Sequence, residues 1–276
     1  MDVVGLGTAA CNIVESFEKY PQYNIYKIDS EIHEGNFFQV PVCNSPEEYE
    51  EAVPDMTEFF SDLGEEVLFF VCGSGMISAS SLAVLQQIKD KKITVYYIQP
   101  KINNLTGNKK LLEKATFGIL QQYARSGLIY EVVIISNQII ADIVGNLPVI
   151  GYFKKINEMI SSTVHYLNIF ERTKYVYGVT ESRENVCRIS SIGILDVSKS
   201  EENMFYALDI VREKDYFYSI NEQKLLSESN IISQIESDMQ AKKENELTKI
   251  SYRLYSTSHK EDFGFCVHRT VKVQGE

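Results

Sequence analysis

The 276-residue chain carries 44% hydrophobic residues, enough for one large core or two modest ones, and a formal charge of -11 from 38 acidic against 27 basic side chains. That balance argues against a general grip on nucleic acid or an anionic membrane, which needs clustered Lys and Arg; the short runs "KDKK" and "NKK" read as solvated faces. Five cysteines without C-x-x-C spacing and four scattered histidines suggest neither a disulfide framework nor a metal centre. With no secretory leader and no apolar run of spanning length, the expected setting is the cytoplasm.

In chain order, "DVVGL", "NIYKID", "EVLFFVCG", "ITVYYIQP" and "YEVVIIS" are continuous β-rich runs, the pattern of strands buried on both faces of a parallel sheet. Helices are expected between them over Asn12 to Lys19, Pro46 to Leu63, Ser80 to Lys89 and Lys110 to Ser126. Alternation of this kind predicts an α/β fold with a doubly wound, mostly parallel sheet. Next, Phe153, Ile156, Ile160, Val164 and Leu167 keep a three-to-four spacing that predicts one long helix, about Pro148 to Glu171. Beyond it the texture becomes β-rich. Strands are expected at "CRISSIGILDV", "DYFYSI", "KISYRLYSTS" and "FGFCVHRTVKV", the last two as an antiparallel pair, with helices at "SEENMFYALDIVRE" and "EQKLLSESNIISQIESDMQ". The expected division is residues 1–147, a central helix 148–171, and a smaller α/β domain over 172–276.

Two small-residue turns carry the functional reading. Gly5-Leu6-Gly7-Thr8-Ala9-Ala10 follows the first strand and runs into a helix, an arrangement that aims backbone N–H groups at an anion, and "YKID" ends the second strand at Asp29, where a ribose-binding acid could stand. Taken alone, this fits a dinucleotide-binding enzyme. "LFFVCGSGMISASSLAVLQ" supplies a second strand, turn and helix, with Gly73, Ser74, Gly75, Ser78, Ser80 and Ser81 in the turn. Two phosphate turns suit a nucleoside triphosphate better than a dinucleotide; the alternative is that these residues only let helix and strand pack closely.

With both turns considered, the chain resembles the tubulin/FtsZ superfamily of filament-forming GTPases. The FtsZ opening, roughly V-I-G-V-G-G-G-G-G-N-A-V, matches Val3 to Val14 in register, and the signature loop G-G-G-T-G-T/S-G falls on Gly75 to Ser81. The order of elements agrees over nearly the whole chain. The resemblance implies a nucleotide site formed by Gly5, Gly7, Thr8, Ala9, Asn12, Gly73, Ser74, Gly75 and Ser78. Thr106 would stand on the ribose side, with Asn137 and Asn157 facing the base and Phe153 packed on it. It implies GTP or GDP, with or without Mg2+, and a head-to-tail homopolymer in which the nucleotide completes the face that meets the next protomer.

The sequence also departs from the family. Met76 and Ile77 replace two glycines of the signature loop, and Asn157 stands where an Asp would accept both guanine hydrogens. The N-x-D-x-x-D loop that positions water in the family corresponds to "TKYVYGVTESRENV", whose only carboxylates are Glu181 and Glu184. Weak or absent hydrolysis is expected, and no catalytic residue is assigned. The sequence ends at Glu276 without an acidic tail or membrane-anchoring peptide, so neither direct membrane binding nor recruitment through such a tail is expected, and no adaptor is identified. By resemblance, the chain is compact enough for a phage or plasmid element. Two alternatives stay open: a nucleotide-independent scaffold on the same fold, and a Rossmann-type enzyme.

Overall fold

A computed structural model describes residues 1–145, 148, 150–243 and 245–275. The chain divides into two compact units, Met1–Ser162 with Val273–Glu276, and Thr163–Lys272. The expected domain boundary at 147, and Val149 within the expected central helix, lie outside the described residues.

The first unit contains β1 (Asp2–Leu6), α1 (Thr8–Glu15), β2 (Asn24–Asp29), β3 (Phe37–Gln39), α2 (Pro46–Glu51), β4 (Glu66–Cys72), α3 (Ser81–Gln87), β5 (Lys92–Gln99), α4 (Asn108–Ser126), β6 (Glu131–Ser136) and α5 (Asn137–Val144). Its strands pair in the order β3-β2-β1-β4-β5-β6, all parallel. The continuous apolar runs are buried as their composition requires: Val3, Val4, Phe69, Phe70, Val71, Ile98, Ile134 and Ile135 lie in the core. On adjacent strands Phe70 and Tyr96 stack with ring centroids 4.6 Å apart. α1 packs on β1, β2 and β4, whereas α2, α3 and α4 gather around residues 76–80.

Several expected boundaries move. The first helix begins at Thr8 rather than Asn12, directly on the turn. α2 stops at Glu51, well short of Leu63, because Pro54 lacks an N–H and biases its predecessor away from helical geometry. The Gln87 side chain takes up the adjoining backbone, accepting from Met56 N–H at 2.7 Å and donating to Pro54 carbonyl at 2.9 Å. A 3-10 turn over Met76–Ser80 precedes α3, which has seven residues. The long helix α6 covers Tyr152–Arg172.

The second unit holds β7 (Tyr177–Val179), β8 (Ile189–Asp196), β9 (Glu201–Met204), β10 (Glu213–Asn221), α7 (Glu222–Ser227), α8 (Ile231–Ala241), β11 (Lys249–Thr257) and β12 (Phe263–Thr270). Its strands run β8-β12-β10-β11-β7, with β9 on β8. Period-two alternation along β10 sends Tyr216, Tyr218 and Ile220 into a cluster with Ile231, Ile235 and Met239 of α8. Phe217, between them in sequence, stacks with Phe170.

Three expectations are corrected here. "SEENMFYALDIVRE" is not a helix: Glu201–Met204 forms β9, antiparallel to β8, after a turn whose Ser200 has φ 58°. Cross-strand pairing and burial of Phe205 override a helical spacing, and Ile210 is held at φ 54° while the Thr270 hydroxyl donates to its carbonyl at 2.8 Å. The last two strands are not partners either. β10 lies between them, parallel to β11 and antiparallel to β12, and α7 and α8 supply the crossover that a parallel pair needs. The single helix expected over "EQKLLSESNIISQIESDMQ" is broken into α7 and α8.

Candidate nucleotide site

All the sequence-predicted site residues belong to the first unit. Strand register sets the scene: Leu6 lies opposite both Ile28 and Val71, Cys72 opposite Ile98, and Ile98 opposite Ile135. Gly7, Gly73 and Asn137, together with the segment leading to Thr106, therefore leave neighbouring strands at the same carboxyl edge. β1 and β4 are where the chain reverses direction across the sheet, the crevice in which open α/β sheets hold ligands.

The first turn has the form of an anion cradle. Gly7 sits at φ 84° and ψ 159°, a region open to glycine almost alone, and its N–H is held by the Ile28 carbonyl at 2.8 Å. α1 starts at once, without a side-chain cap on its first N–H groups, and Thr8, Ala9 and Asn12 are exposed. Gly5 has a packing role, since a Cβ there would lie 2.9 Å from Val14 Cγ2 and 3.0 Å from the Ala10 backbone.

The second turn is built differently. A Cβ on Gly73 would run into the Tyr97 hydroxyl, which bonds to Glu113, so that glycine accommodates a buried ring. Gly75 is exposed and has ordinary extended geometry, φ -80° and ψ 138°. Ser74 is half-buried, whereas Ser78 is buried, with its Oγ lacking any hydrogen-bond partner. Ile77 reaches across to the first turn: its Cγ2 lies 2.6 Å from where a Cβ on Gly7 would stand.

The remaining predicted residues are at helix and loop starts. Thr106 is exposed ahead of α4; Asn137 is half-buried as the first residue of α5, whose start the Ser136 hydroxyl caps through Ile139 N–H at 3.4 Å. Phe153 and Asn157, four apart, share one face of α6, and the Phe153 ring is 72% exposed, an apolar group without a packing role in the core. In the second unit, Glu184 pairs with Lys249 at 3.0 Å and Glu181 is exposed. Neither carboxylate is set up as a catalytic group.

Sequence spacing missed a polar cluster behind the first turn. His33 Nε2 meets Asp29 at 2.8 Å and its Nδ1 lies 3.6 Å from Glu15, which also binds the buried Lys27 at 2.9 Å. Asp29 additionally accepts from Ser30 N–H, so its carboxylate is engaged rather than free for a ribose. Only folding joins these residues from a helix, a strand and a loop. Cys11, Asp29 and His33 are compact enough to be metal donors, as are Glu202, Cys266 and His268, and Glu184, Cys187 and Glu213. Burial, followed by the charge of Asp29, pushes the Cys11 thiol up to about 12, and the carboxylates already have protein partners. These clusters read as structural.

No protein-family model matches the chain, and no curated protein matches it in sequence. Solved structures do match in fold. An empty FtsZ dimer from M. jannaschii is 14% identical, with TM-score 0.69 over 98% of this chain and 88% of its own. GDP-form protofilaments of TubZ from Bacillus thuringiensis serovar israelensis give 12% identity and TM-score 0.71 over 97% and 85%. CetZ2 from Haloferax volcanii, a GTPγS-bound protofilament, gives 11% and 0.69 over 97% and 92%. Across nearly its whole length, and at very low sequence identity, the chain has the tubulin/FtsZ fold.

Proposed function

We propose that this chain is a filament-forming protein of the tubulin/FtsZ fold that holds a purine nucleotide, guanine first among candidates, and hydrolyses it slowly or not at all. The observation that carries this reading is the glycine turn at Gly7, which starts α1 without a side-chain cap beside the end of β4 at the switch point of a parallel sheet. Gly7, Thr8, Ala9 and Asn12 would hold phosphate, Thr106 the ribose side, and Asn137 and Asn157 the base, with Phe153 against its face. Asn157 offers guanine one acceptor and one donor, so discrimination against adenine would be modest. The nucleotide, when bound, supplies charge and surface that complete the face offered to a second copy. Head-to-tail contacts of one surface with another repeat into an open filament. The protofilament state of the TubZ and CetZ2 structures supports this reading.

The test uses the full chain. Nucleotide released on denaturation is identified chromatographically, and assembly is followed by light scattering and electron microscopy at about 10 to 100 μM, where contacts of micromolar affinity are populated. Guanine nucleotide and filaments are expected, with phosphate release below about 1 s⁻¹, the low end for efficient phosphoryl transfer. A protein that stays monomeric with and without GTP or ATP, and carries no nucleotide, overturns the proposal. Ile77 over Gly7 favours one second reading, a scaffold on the same fold that assembles without nucleotide. Filaments formed equally well after nucleotide is stripped would establish it.

A further inference from the structure

A cavity of about 350 Å³ opens in the first unit between α2, the 3-10 turn at 76–80, the start of α3 and α4. Leu82, Leu112 and Leu120 make its lining apolar, and Leu111 and Ile119, 68% and 40% exposed, leave further hydrocarbon open beside them. Ser78 also lines it. The backbone of this residue is already bonded, since its N–H donates to the Gly75 carbonyl at 2.9 Å and its carbonyl accepts from the Ser81 hydroxyl. Its own hydroxyl is buried without a partner, which costs stability until another polar atom bonds to it. Among the described residues that line the cavity the charged ones are Glu47 and Glu50, three apart on one face of α2 and both exposed, whereas Lys109, Lys110 and Lys114 of α4 are not part of the lining.

We propose that this cavity binds a small amine whose apolar body lies against the leucines, whose hydroxyl or carbonyl oxygen meets Ser78, and whose ammonium faces Glu47 and Glu50. The volume is within the range of small-ligand pockets, which combine an apolar lining with a few placed polar groups. The Ser78 hydroxyl fixes orientation, because only a polar atom set against it removes the cost of its burial. The two carboxylates fix the sign of the ligand: they attract a cation and repel a fatty acid or any other anion, to an extent that salt reduces. None of Gly7, Thr8, Ala9 and Asn12 lines the cavity, so the proposal stands whether or not the chain holds a nucleotide.

Calorimetric titration of the full chain gives the test. The probes are tyramine, with an ammonium and a hydroxyl at opposite ends of an aromatic body, phenethylamine, which lacks the hydroxyl, and 4-hydroxyphenylpropionate, which carries a carboxylate in place of the ammonium. Tyramine is expected to bind one site with a Kd of about 1 mM or tighter, the range of so small a ligand, and about threefold tighter than phenethylamine and fivefold tighter than the propionate. Ser78→Ala should remove the preference for the hydroxyl and keep that for the amine, and Glu47→Gln with Glu50→Gln should do the reverse. Ala115→Trp, at an exposed position of the lining, should fill the cavity and abolish binding, and Leu111→Trp serves the same end if the first variant fails to fold. Absence of saturable tyramine binding in wild type overturns the proposal, as does equal binding of amine and carboxylate. Binding that survives the tryptophan in a folded variant, or a hydroxyl preference that Ser78→Ala leaves intact, overturns it too.

Discussion

The turn after β1 holds Gly7 at φ 84° and ψ 159° and leads straight into an eight-residue helix, whereas the turn after β4 holds Gly75 at φ -80° and ψ 138° and leads into a 3-10 turn. Both are glycine-bearing turns at the ends of adjacent parallel strands, yet the first starts α1 without a side-chain cap and meets Ile77, whereas the second packs against the Tyr97 ring. Small residues at such a turn therefore have two distinct meanings. At Gly7 the backbone conformation demands glycine; at Gly73 a buried tyrosine demands it.

The sharpest way to break this comparison is a pair of substitutions. Gly7→Ala is expected to destabilise by about 3 kcal/mol in urea unfolding, from backbone strain plus the contact with Ile77, whereas Gly75→Ala stays within about 0.5 kcal/mol. Equal costs would erase the distinction.

Polar burial supplies the next test, because Glu202 in β9 contrasts with Ser78 in the second turn. Burial pushes the Glu202 carboxyl up, but the 3.1 Å pairing with His268 and the hydrogen bonds from Lys242 and the Tyr216 hydroxyl outweigh it and hold it well below the usual carboxylate range. A lowered folded-state value adds stability that is present above the unfolded carboxylate pKa, about 4.3, and is lost as pH falls below it. Glu202→Gln is expected to cost about 2 kcal/mol at pH 7, with the stability curves of variant and wild type converging in acid. Parallel curves down to pH 3 would contradict the assignment.

A comparable effect is expected at Gly73. Gly73→Ala should cost about 2 kcal/mol by overpacking against Tyr97, and most of that penalty should vanish in a Tyr97→Leu background. Additive costs would mean that the ring is not what excludes the Cβ. The smallest effect belongs to Ser78→Ala: removing a buried hydroxyl without a partner should be neutral or stabilising by up to about 1 kcal/mol, read from the urea midpoint. A loss of that size instead would reveal a bound group at the second turn.

Much of the fold was legible because its signals are local. Five parallel strands announce themselves as apolar runs, since burial on both faces leaves no polar alternation, and the 21-residue α6 shows a sustained helical spacing. The short strand β3 was missed because three residues carry no period. β9 was misread as helix because the contacts that decide it, pairing with β8 and those of Glu202 with Tyr216, Lys242 and His268, involve residues from five to 66 positions away. The β11–β12 pairing was misjudged for a related reason: adjacency in sequence says nothing about a third strand entering between them.

The amino-acid sequence by itself determined that this chain forms a parallel α/β sheet with small-residue turns at strand ends, because backbone propensity and hydrophobic period act within a few residues. It also named Met76 and Ile77 as departures from the family pattern. Only the tertiary structure decided what those turns can hold. Whether a glycine makes room for a ligand or for a neighbouring ring, and whether Ile77 points away or across onto Gly7, depends on atoms brought together from β1, β4 and β5, and close packing between strands carries no signature in any one of them.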